Sequence, residues 1–300
     1  MRLVNEYLFN ATGQEILNLL PWTTHIFEET RHYMRLDFIK MHAAGNDYIF
    51  VDCLLRELKN PELIAENLCK RRFSVGADGL ILLLPSSVAD AKMRIFNADG
   101  SEAAMCGNAS RCAARLLYES GFARKSRIRL ETLSGIKEAY LTLTDGNIHS
   151  ISIDMGRASV GEMFFFENAG EKFEMRGINV GNEHQVAFVP DADYPDLNKL
   201  GPSFEQNPRF ADGVNTEICE ILGKNHLKVR TYERGSGETL ACGTGACAAA
   251  VAGILNGSCS TSKMIRISMR GGELGVICDE AFRLRLVGNA TRVFDGVVEV

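Results

Sequence analysis

The sequence lacks the features that mark several large protein classes. No apolar run approaches the ~20 residues that a membrane-spanning helix needs. There is no glycine-rich dinucleotide fingerprint and no phosphate-binding loop of the required spacing. No two cysteines have the Cys-x-x-Cys spacing of a zinc ribbon or a redox loop, and four converging metal ligands are not recognisable. We therefore expect a protein without a metal, without a cofactor and without a membrane segment.

The charge and composition are typical of a soluble globular protein. The 300 residues carry a formal net charge of −5, with 46% hydrophobic and 24% charged residues. This balance argues against a general nucleic-acid-binding protein. The nine cysteines lie in apolar or alanine-rich contexts, and we expect no secretory leader, because the early apolar run is short and lacks a basic start. They favour reduced thiols in a cytoplasmic protein.

One stretch, Arg230 to Gly253, contains the strongest signal of a site. It reads RTYERGSGETLACGTGACAAAVAG, a polar turn followed by Cys242 and a row of small residues. Such a row predicts a helix that is packed on all sides. Cys242 then lies at the helix start, where the helix dipole lowers the pKa of a thiol. The free backbone N–H groups there also form a site for a substrate carboxylate.

The first half of the chain repeats this arrangement. Residues 96–117 read FNADGSEAAMCGNASRCAARLL, and CGNASRCAA aligns with CGTGACAA of the later stretch with one gap. A divergent repeat predicts two similar halves related by an approximate two-fold axis. Cys106 and Cys242 would then flank one ligand from opposite sides. The second cysteine of each helix, Cys112 or Cys247, is expected to be a buried apolar residue.

The residue pattern predicts many strands and one central helix in each half. A further helix is expected from Pro61 to Phe73, because proline favours the first helical turn. This mixture predicts an α+β fold of two domains, residues 34–150 and 151–287. Residues 1–33 are expected to lie outside that fold, as either an over-long gene start or a dispensable docking helix.

Five stretches of the sequence resemble, in the same order, the motifs of a known family. They are KMHAAGNDY, FNADGSEAAMCGN, NVGNEH, GVNTEI and YERGSGETLACGTGA. From about Met34 to Val300 the chain resembles diaminopimelate epimerase, a cofactor-independent enzyme family of lysine and peptidoglycan-precursor synthesis. The resemblance implies two pseudo-symmetric domains, each a mostly antiparallel sheet or barrel wrapped around a central helix, with residues 288–300 returning to the first domain. It also implies a small-molecule substrate, diaminopimelate, and a homodimer.

The resemblance assigns roles residue by residue. Cys106 and Cys242 match the catalytic thiols, and His184 and Glu233 match the residues that tune their pKa values. The positions that match substrate-binding residues are Asn46, Asn97, Gly107, Asn108, Asn182, Asn215, Glu233, Arg234, Gly243 and Thr244. The chain departs from the family at Glu183, where proline is usual, at Ala43-Ala44, and at Gly79, where many members carry glutamine.

These residue types suit inversion at an α-carbon. The α-proton of an amino acid is weakly acidic, so donors must stabilise the charge that develops on its carboxylate. Inversion also needs a base on one face and an acid on the other, roles that a thiolate and a thiol exchange when the direction reverses. Taken alone, each asparagine is more often a turn former. Arg234 suits bidentate recognition of a second carboxylate.

Three other interpretations compete with this one. A proline or hydroxyproline racemase, or another racemase with paired cysteines, has the same fold but typically carries His after the first Cys-Gly, where this chain has Asn108. A redox switch would use a Cys106–Cys242 disulfide. A structural zinc protein lacks recognisable ligands.

Overall fold

The computed structural model describes residues 34–168, 170–194 and 196–300. The chain divides into two compact units, residues 1–36 with 298–300, and residues 37–297. In the first unit the described residues include Met34 and Val300, whose backbone N–H groups each donate to the other's carbonyl oxygen at 2.8 and 3.0 Å. The predictions for residues 1–33 lie outside the described residues. The candidate site described below lies in the second unit.

The described residues form 18 strands and four α-helices. The helices are α1 (Pro61–Leu68), α2 (Gly107–Glu119), α3 (Leu197–Glu205) and α4 (Gly243–Leu255). The strands are β1 (Arg35–Ala43), β2 (Asn46–Asp52), β3 (Gly79–Leu84), β4 (Ala91–Asn97), β5 (Glu102–Ala103), β6 (Arg127–Thr132), β7 (Gly135–Thr144), β8 (Asn147–Arg157), β9 (Ser159–Asn168), β10 (Glu171–Asn179), β11 (Glu183–Phe188), β12 (Asn215–Gly223), β13 (His226–Glu233), β14 (Gly237–Thr239), β15 (Met264–Met269), β16 (Gly272–Cys278), β17 (Arg283–Gly288) and β18 (Thr291–Glu299). No helix in the described ranges is long and apolar enough to cross a membrane.

The strands pair in two series that follow the same plan. In the first, β1 and β2 are antiparallel, β2 and β3 parallel, β3 and β4 antiparallel, β4 and β6 parallel, and β6, β7 and β8 antiparallel. In the second, β10, β11, β12, β13, β15, β16 and β17 repeat this order of parallel and antiparallel pairs. The short strands β5 and β14 each form a hairpin just before α2 and α4, the two helices that begin directly after Cys106 and Cys242 and are called the thiol helices below. The predicted internal repeat is therefore present in the strand pairing.

Each series surrounds one helix of small residues. α2 packs against β2, β4, β6, β7 and β8, and α4 packs against β10 to β13 and β15 to β17. Residues 107–114 of α2 and 245–253 of α4 are all buried, Cys112 and Cys247 completely. Alanine, glycine and cysteine allow strands to approach the helix from every side, because they add little side-chain volume. The predicted α+β fold and the burial of the second cysteines are confirmed.

One predicted helix was too long, and one strand was not predicted. The helix from Pro61 ends at Leu68, because Arg72 has a φ of 73° and the N–H of Gly76 donates to the carbonyl of Leu68, which turns the chain back. β9 was not predicted. Its run of Met163, Phe164, Phe165 and Phe166 lacks the alternation that identifies a half-buried strand.

Candidate active site

The starts of the two central helices lie side by side. Cys106 and Cys242 are the N-cap residues of α2 and α4, both with extended backbone. A Cβ atom on Gly107 would lie 3.0 Å from Leu286 Cδ2, and one on Gly243 would lie 2.9 Å from the same atom. Both helix starts therefore approach one methyl group of β17, and only glycine leaves room for it. The two thiol segments, Cys106-Gly107 and Cys242-Gly243, thus lie on the same Leu286 side chain.

Cys106 is partly exposed and contacts a buried phenol. Its sulfur lies 3.0 Å from the hydroxyl oxygen of Tyr48, on β2. Burial, together with the neighbouring Cys106, raises the pKa of Tyr48 well above its ordinary value. Tyr48 therefore keeps its proton at neutral pH and can donate it in a hydrogen bond to the sulfur of Cys106.

Cys242 is more deeply buried, with 5% of its surface exposed. The N–H of Gly245 donates to its sulfur at 3.3 Å, and the Thr244 hydroxyl lies 3.4 Å away. Burial nevertheless raises the pKa of Cys242 well above its ordinary value, and the charges of Glu233 and Glu217 raise it further. The prediction that the helix start lowers the pKa of this thiol is wrong for this state, because desolvation and two carboxylates outweigh the helix end.

Glu233 lies at the end of β13, beside Cys242. Burial raises the pKa of its carboxyl, while hydrogen bonds from the Thr239 hydroxyl and from Cys242 act in the opposite direction. A carboxyl with a raised pKa next to a thiol is a candidate partner for proton exchange with it. This position suits the tuning role that the resemblance assigned to Glu233.

His184 reaches Cys242 through a chain of hydrogen bonds. Its Nδ1 lies 2.9 and 3.0 Å from the two carboxylate oxygens of Glu217, and both side chains are completely buried. Its Nε2 faces Asn182 Oδ1 at 3.1 Å, and Asn182 Nδ2 donates to the Thr244 hydroxyl at 3.3 Å. Thr244 in turn contacts Cys242. The chain thus runs from Glu217 to the second thiol.

Glu217 is a site residue that was not predicted from the sequence. The signal that identifies it is a glutamate in the middle of the buried start of β12, where Asn215 to Cys219 are all buried. A carboxylate at such a position needs a specific partner. The partner, His184, comes from the neighbouring parallel strand β11, where it pairs in register with Asn215.

On the side of the first thiol, two predicted asparagines contact each other. Asn108 Nδ2 donates to Asn46 Oδ1, and Asn46 Nδ2 donates to Asp78 Oδ2 at 3.3 Å. Asn97 instead donates to the hydroxyl of Ser101 at 3.0 Å, within its own turn. Asn46 and Asn108 therefore form one polar group next to Cys106. The side chain of Asn97 instead stabilises the turn of residues 97–101, which precedes Cys106 in the chain.

On the side of the second thiol, Asn215 and Arg234 form another group. Asn215 Oδ1 accepts a hydrogen bond from the backbone N–H of Arg234 at 2.8 Å, and Arg234 Nη1 donates to the carbonyl oxygen of Asp212 at 2.8 Å. The guanidinium retains further donors that these contacts do not use. Within the described ranges, no group of three metal-ligating side chains converges.

Solved structures with a similar fold include several isomerases. A hydroxyproline epimerase from Agrobacterium vitis has a TM-score of 0.71 at 18% identity, over 89% of this chain and 93% of that one. A phenazine biosynthesis protein of the PhzF family from Bacillus anthracis has a TM-score of 0.67 at 18% identity, over 89% and 100%. At these identities the likeness shows the fold alone.

Sequence comparisons are more specific. The sequence model described as diaminopimelate epimerase matches residues 38–161 and 177–293. The diaminopimelate epimerase of Acetivibrio thermocellus is 41% identical over 277 residues, which cover 88% of this chain and 98% of that protein. That of Parabacteroides distasonis is 43% identical over 265 residues, with coverage of 88% and 98%. A match of this extent, over both thiol helices, shows that the chain belongs to the diaminopimelate epimerase family.

Proposed function

We propose that this protein interconverts LL- and meso-diaminopimelate without a cofactor, with one thiol on each face of the α-carbon. The observation that carries the proposal is the pairing of Cys106 and Cys242 at two adjacent helix starts. The 41% and 43% identity to proteins named diaminopimelate epimerase supports the choice of substrate.

In the proposed reaction, a thiolate removes the α-proton, so the C–H bond breaks and an S–H bond forms. The thiol on the opposite face then gives its proton to the α-carbon, and its S–H bond breaks. The backbone N–H groups of Gly107, Asn108, Gly243 and Thr244 would stabilise the charge that develops on the carboxylate between these steps. Because the pKa of Cys242 is raised, we assign it the proton in the resting enzyme.

The remaining polar residues would recognise the distal amino acid centre of the substrate. Asn46 and Asn108 form one group near Cys106, and Asn215 and Arg234 form another beyond Cys242. We assign Arg234 to a carboxylate, since guanidinium and carboxylate match in bidentate geometry. Asn97 would need to leave Ser101 before it could contact a ligand.

The test is solvent deuterium incorporation at the α-carbon, measured by mass spectrometry under reducing conditions. We expect exchange with LL-diaminopimelate and none with L-proline at the same concentration. The comparison with proline addresses the second candidate, a proline-type racemase, which the similar fold of the hydroxyproline epimerase favours. Exchange with proline alone would overturn the proposal in favour of that candidate.

We further propose a cytoplasmic homodimer of chains that each contain two domains, residues 34–150 with 288–300 and residues 151–287. The repeated strand pairing supports the domain division. The position of β18 beside β1 also supports it, since the ring centroids of Phe38 and Phe294 lie 5.9 Å apart in an edge-to-face contact.

Exposed apolar side chains on β18, Val293 and Val297 among them, support a protein partner. Sedimentation analysis tests the dimer, and a monomer at micromolar concentration would contradict it.

A further inference from the structure

A cavity lined by charged side chains lies where the end of β8 pairs with the start of β17. Its volume is about 570 Å³, which is typical of a small-molecule site. The charged residues that line it are three arginines and two aspartates: Arg157, Arg283, Arg285, Asp154 and Asp279. Leu286, which lies between the two thiol segments, leaves β17 on the face opposite to Arg285, because successive side chains of a strand alternate. The cavity is therefore separate from the candidate active site.

Two of the arginines face each other directly across the strand pair. Arg283 pairs in register with Arg157, so both side chains leave the same face of the sheet. Like charges directly opposite each other destabilise an antiparallel pair. Within the ranges that the structure describes, neither guanidinium forms an ion pair. The protein itself thus leaves the two facing charges uncompensated.

The aspartates of the cavity bind backbone groups instead. Asp154 Oδ1 accepts a hydrogen bond from the N–H of Gly156 at 2.8 Å. Asp279 Oδ1 accepts from the N–H groups of Ala281 and Arg283 at 2.8 and 2.9 Å. Such local contacts fix an aspartate side chain against its own turn. They explain why two carboxylates line the same cavity as the arginines without pairing with them.

The third arginine is held in place by an aromatic ring. The guanidinium carbon of Arg285 lies 4.8 Å from the centre of the Tyr140 ring, a cation–π contact. The Tyr140 hydroxyl in turn donates a hydrogen bond to Glu138, which fixes the ring. The cation–π contact leaves the five N–H donors of the guanidinium available. The cavity therefore has one positioned guanidinium beside the facing pair.

We propose that this cavity binds a small molecule that carries a phosphate or diphosphate group, held by Arg157 and Arg283 with a further contact to Arg285. Guanidinium groups match phosphate oxygens in bidentate geometry. A phosphate monoester carries a charge of about −1.5 to −2 near pH 7, which compensates two facing arginines, whereas a single carboxylate carries one charge at most. The cavity thus favours a phosphate over a second molecule of an amino acid substrate.

Calorimetric titration with inorganic pyrophosphate tests the site, in a buffer of fixed ionic strength without other phosphate. We expect Arg157→Thr and Arg283→Thr each to weaken binding roughly tenfold, since each loses a charge-assisted contact. Threonine suits an exposed strand position, so the strand pair should be kept. An excess of diaminopimelate should not displace pyrophosphate, and displacement would overturn the proposal by placing the anion in the candidate active site.

Arg266→Thr is the matched control. Arg266 is an exposed arginine on β15 that pairs with Glu273, so its replacement removes the same charge away from the cavity. Its affinity for pyrophosphate should equal that of the unaltered protein. Equal losses in all three variants would show binding through net charge alone, and no loss in Arg157→Thr and Arg283→Thr would place the anion elsewhere. Either result would overturn the proposal.

Thermal unfolding gives a second measurement of opposite sign. In phosphate-free buffer of low ionic strength, Arg283→Thr should unfold at the same or a higher temperature than the unaltered protein, because the facing charge is gone. Pyrophosphate should raise the unfolding temperature of the unaltered protein and of Arg266→Thr much more than that of Arg283→Thr. A lower unfolding temperature of Arg283→Thr without pyrophosphate would show that the protein already compensates this charge, which would overturn the proposal.

Labelling of the unaltered protein decides if the variants do not fold. Phenylglyoxal modifies accessible arginines, and mass spectrometry locates the product. Pyrophosphate should slow the modification of Arg157 and Arg283 but not that of Arg266, and equal rates with and without pyrophosphate would overturn the proposal. Vesicles that contain phosphatidylglycerol distinguish a lipid headgroup from a free phosphate, since binding to vesicles without binding of pyrophosphate would contradict a small-molecule site.

Discussion

At the scale of single residues, the two thiols differ in their neighbours although their backbone positions match. Cys106 contacts the Tyr48 hydroxyl, whereas Cys242 lies beside Glu233 and Glu217. Each would be the base for one stereoisomer and the acid for the other. A variant with one thiol could then remove the α-proton of only one isomer.

Replacing either thiol by alanine should therefore abolish epimerisation in both directions. We expect Cys106→Ala and Cys242→Ala to eliminate halide from opposite isomers of a β-halogenated diaminopimelate, because each variant keeps the base of one face. Stability should change little, since each substitution removes a single sulfur atom at a helix start. The measurement is halide release from both isomers with each variant. The same isomer preference in both variants would contradict a two-sided mechanism.

The side chains of His184 and Glu217, which are both buried, should depend strongly on each other in their contribution to the free energy of unfolding. Glu217→Ala leaves His184 Nδ1 without the carboxylate whose two oxygens it contacts, and we expect a loss of about 3–5 kcal/mol in the free energy of unfolding. In a cycle with His184→Gln and Glu217→Gln, the double variant should lose less than the sum of the single variants, by about 0.5–3 kcal/mol. Urea unfolding measures all four proteins. Additive losses would show that the contact contributes no coupling energy.

At the scale of elements, the sequence predicted the two central helices better than the strands and charged side chains that pack around them. The small-residue rows identified α2 and α4 and placed both thiols at their starts, because few other patterns fit a helix packed on all sides. The pKa of Cys242 could not be predicted, since it depends on carboxyl groups from β12 and β13 that approach only in the fold. The role of Glu217 was missed for the same reason, because its partner His184 lies 33 residues away in the chain. β9 was missed because its aromatic run does not alternate, although its partner β10 follows directly in the chain.

A substitution at Gly243 tests whether activity requires the close approach of the α4 start to β17. A Cβ atom there would lie 2.9 Å from Leu286 Cδ2, and because Leu286 is completely buried, we expect Gly243→Ala to displace the helix start and its backbone donors. Displacement of catalytic groups by about 1 Å can cost ~100-fold in rate, and we expect a kcat loss of this order with a smaller change in melting temperature. Gly223→Ala is the matched control, since no atom lies within 4 Å of its added Cβ and its φ is not positive. Equal kcat values for the two variants would contradict the need for close approach.

At the scale of the whole molecule, the repeated strand order explains why two distant segments form one site. Each series carries a hairpin, a thiol and a central helix in the same order, and β8 and β17 join the two series as antiparallel neighbours. Leu286, on β17, then separates the two helix starts by one side chain. The sequence showed the repeat but not this junction, because nothing in a single strand specifies its partner.

The buried thiols of both series should make folding stability depend on alkaline pH. Burial raises the pKa of Cys112 to about 12 and those of Cys69 and Cys278 to about 11, from an ordinary value of 9.0. A thiol whose pKa is raised by folding contributes fully below the unfolded value, and this contribution is lost as pH rises through the folded value. We therefore expect stability to fall from about pH 9 upward, by up to about 1.4 kcal/mol per pH unit for each thiol. Urea unfolding at pH 8, 9 and 10 measures the slope, and Cys278→Ala should make it shallower; a slope that this change leaves unaltered would contradict the assignment to buried thiols.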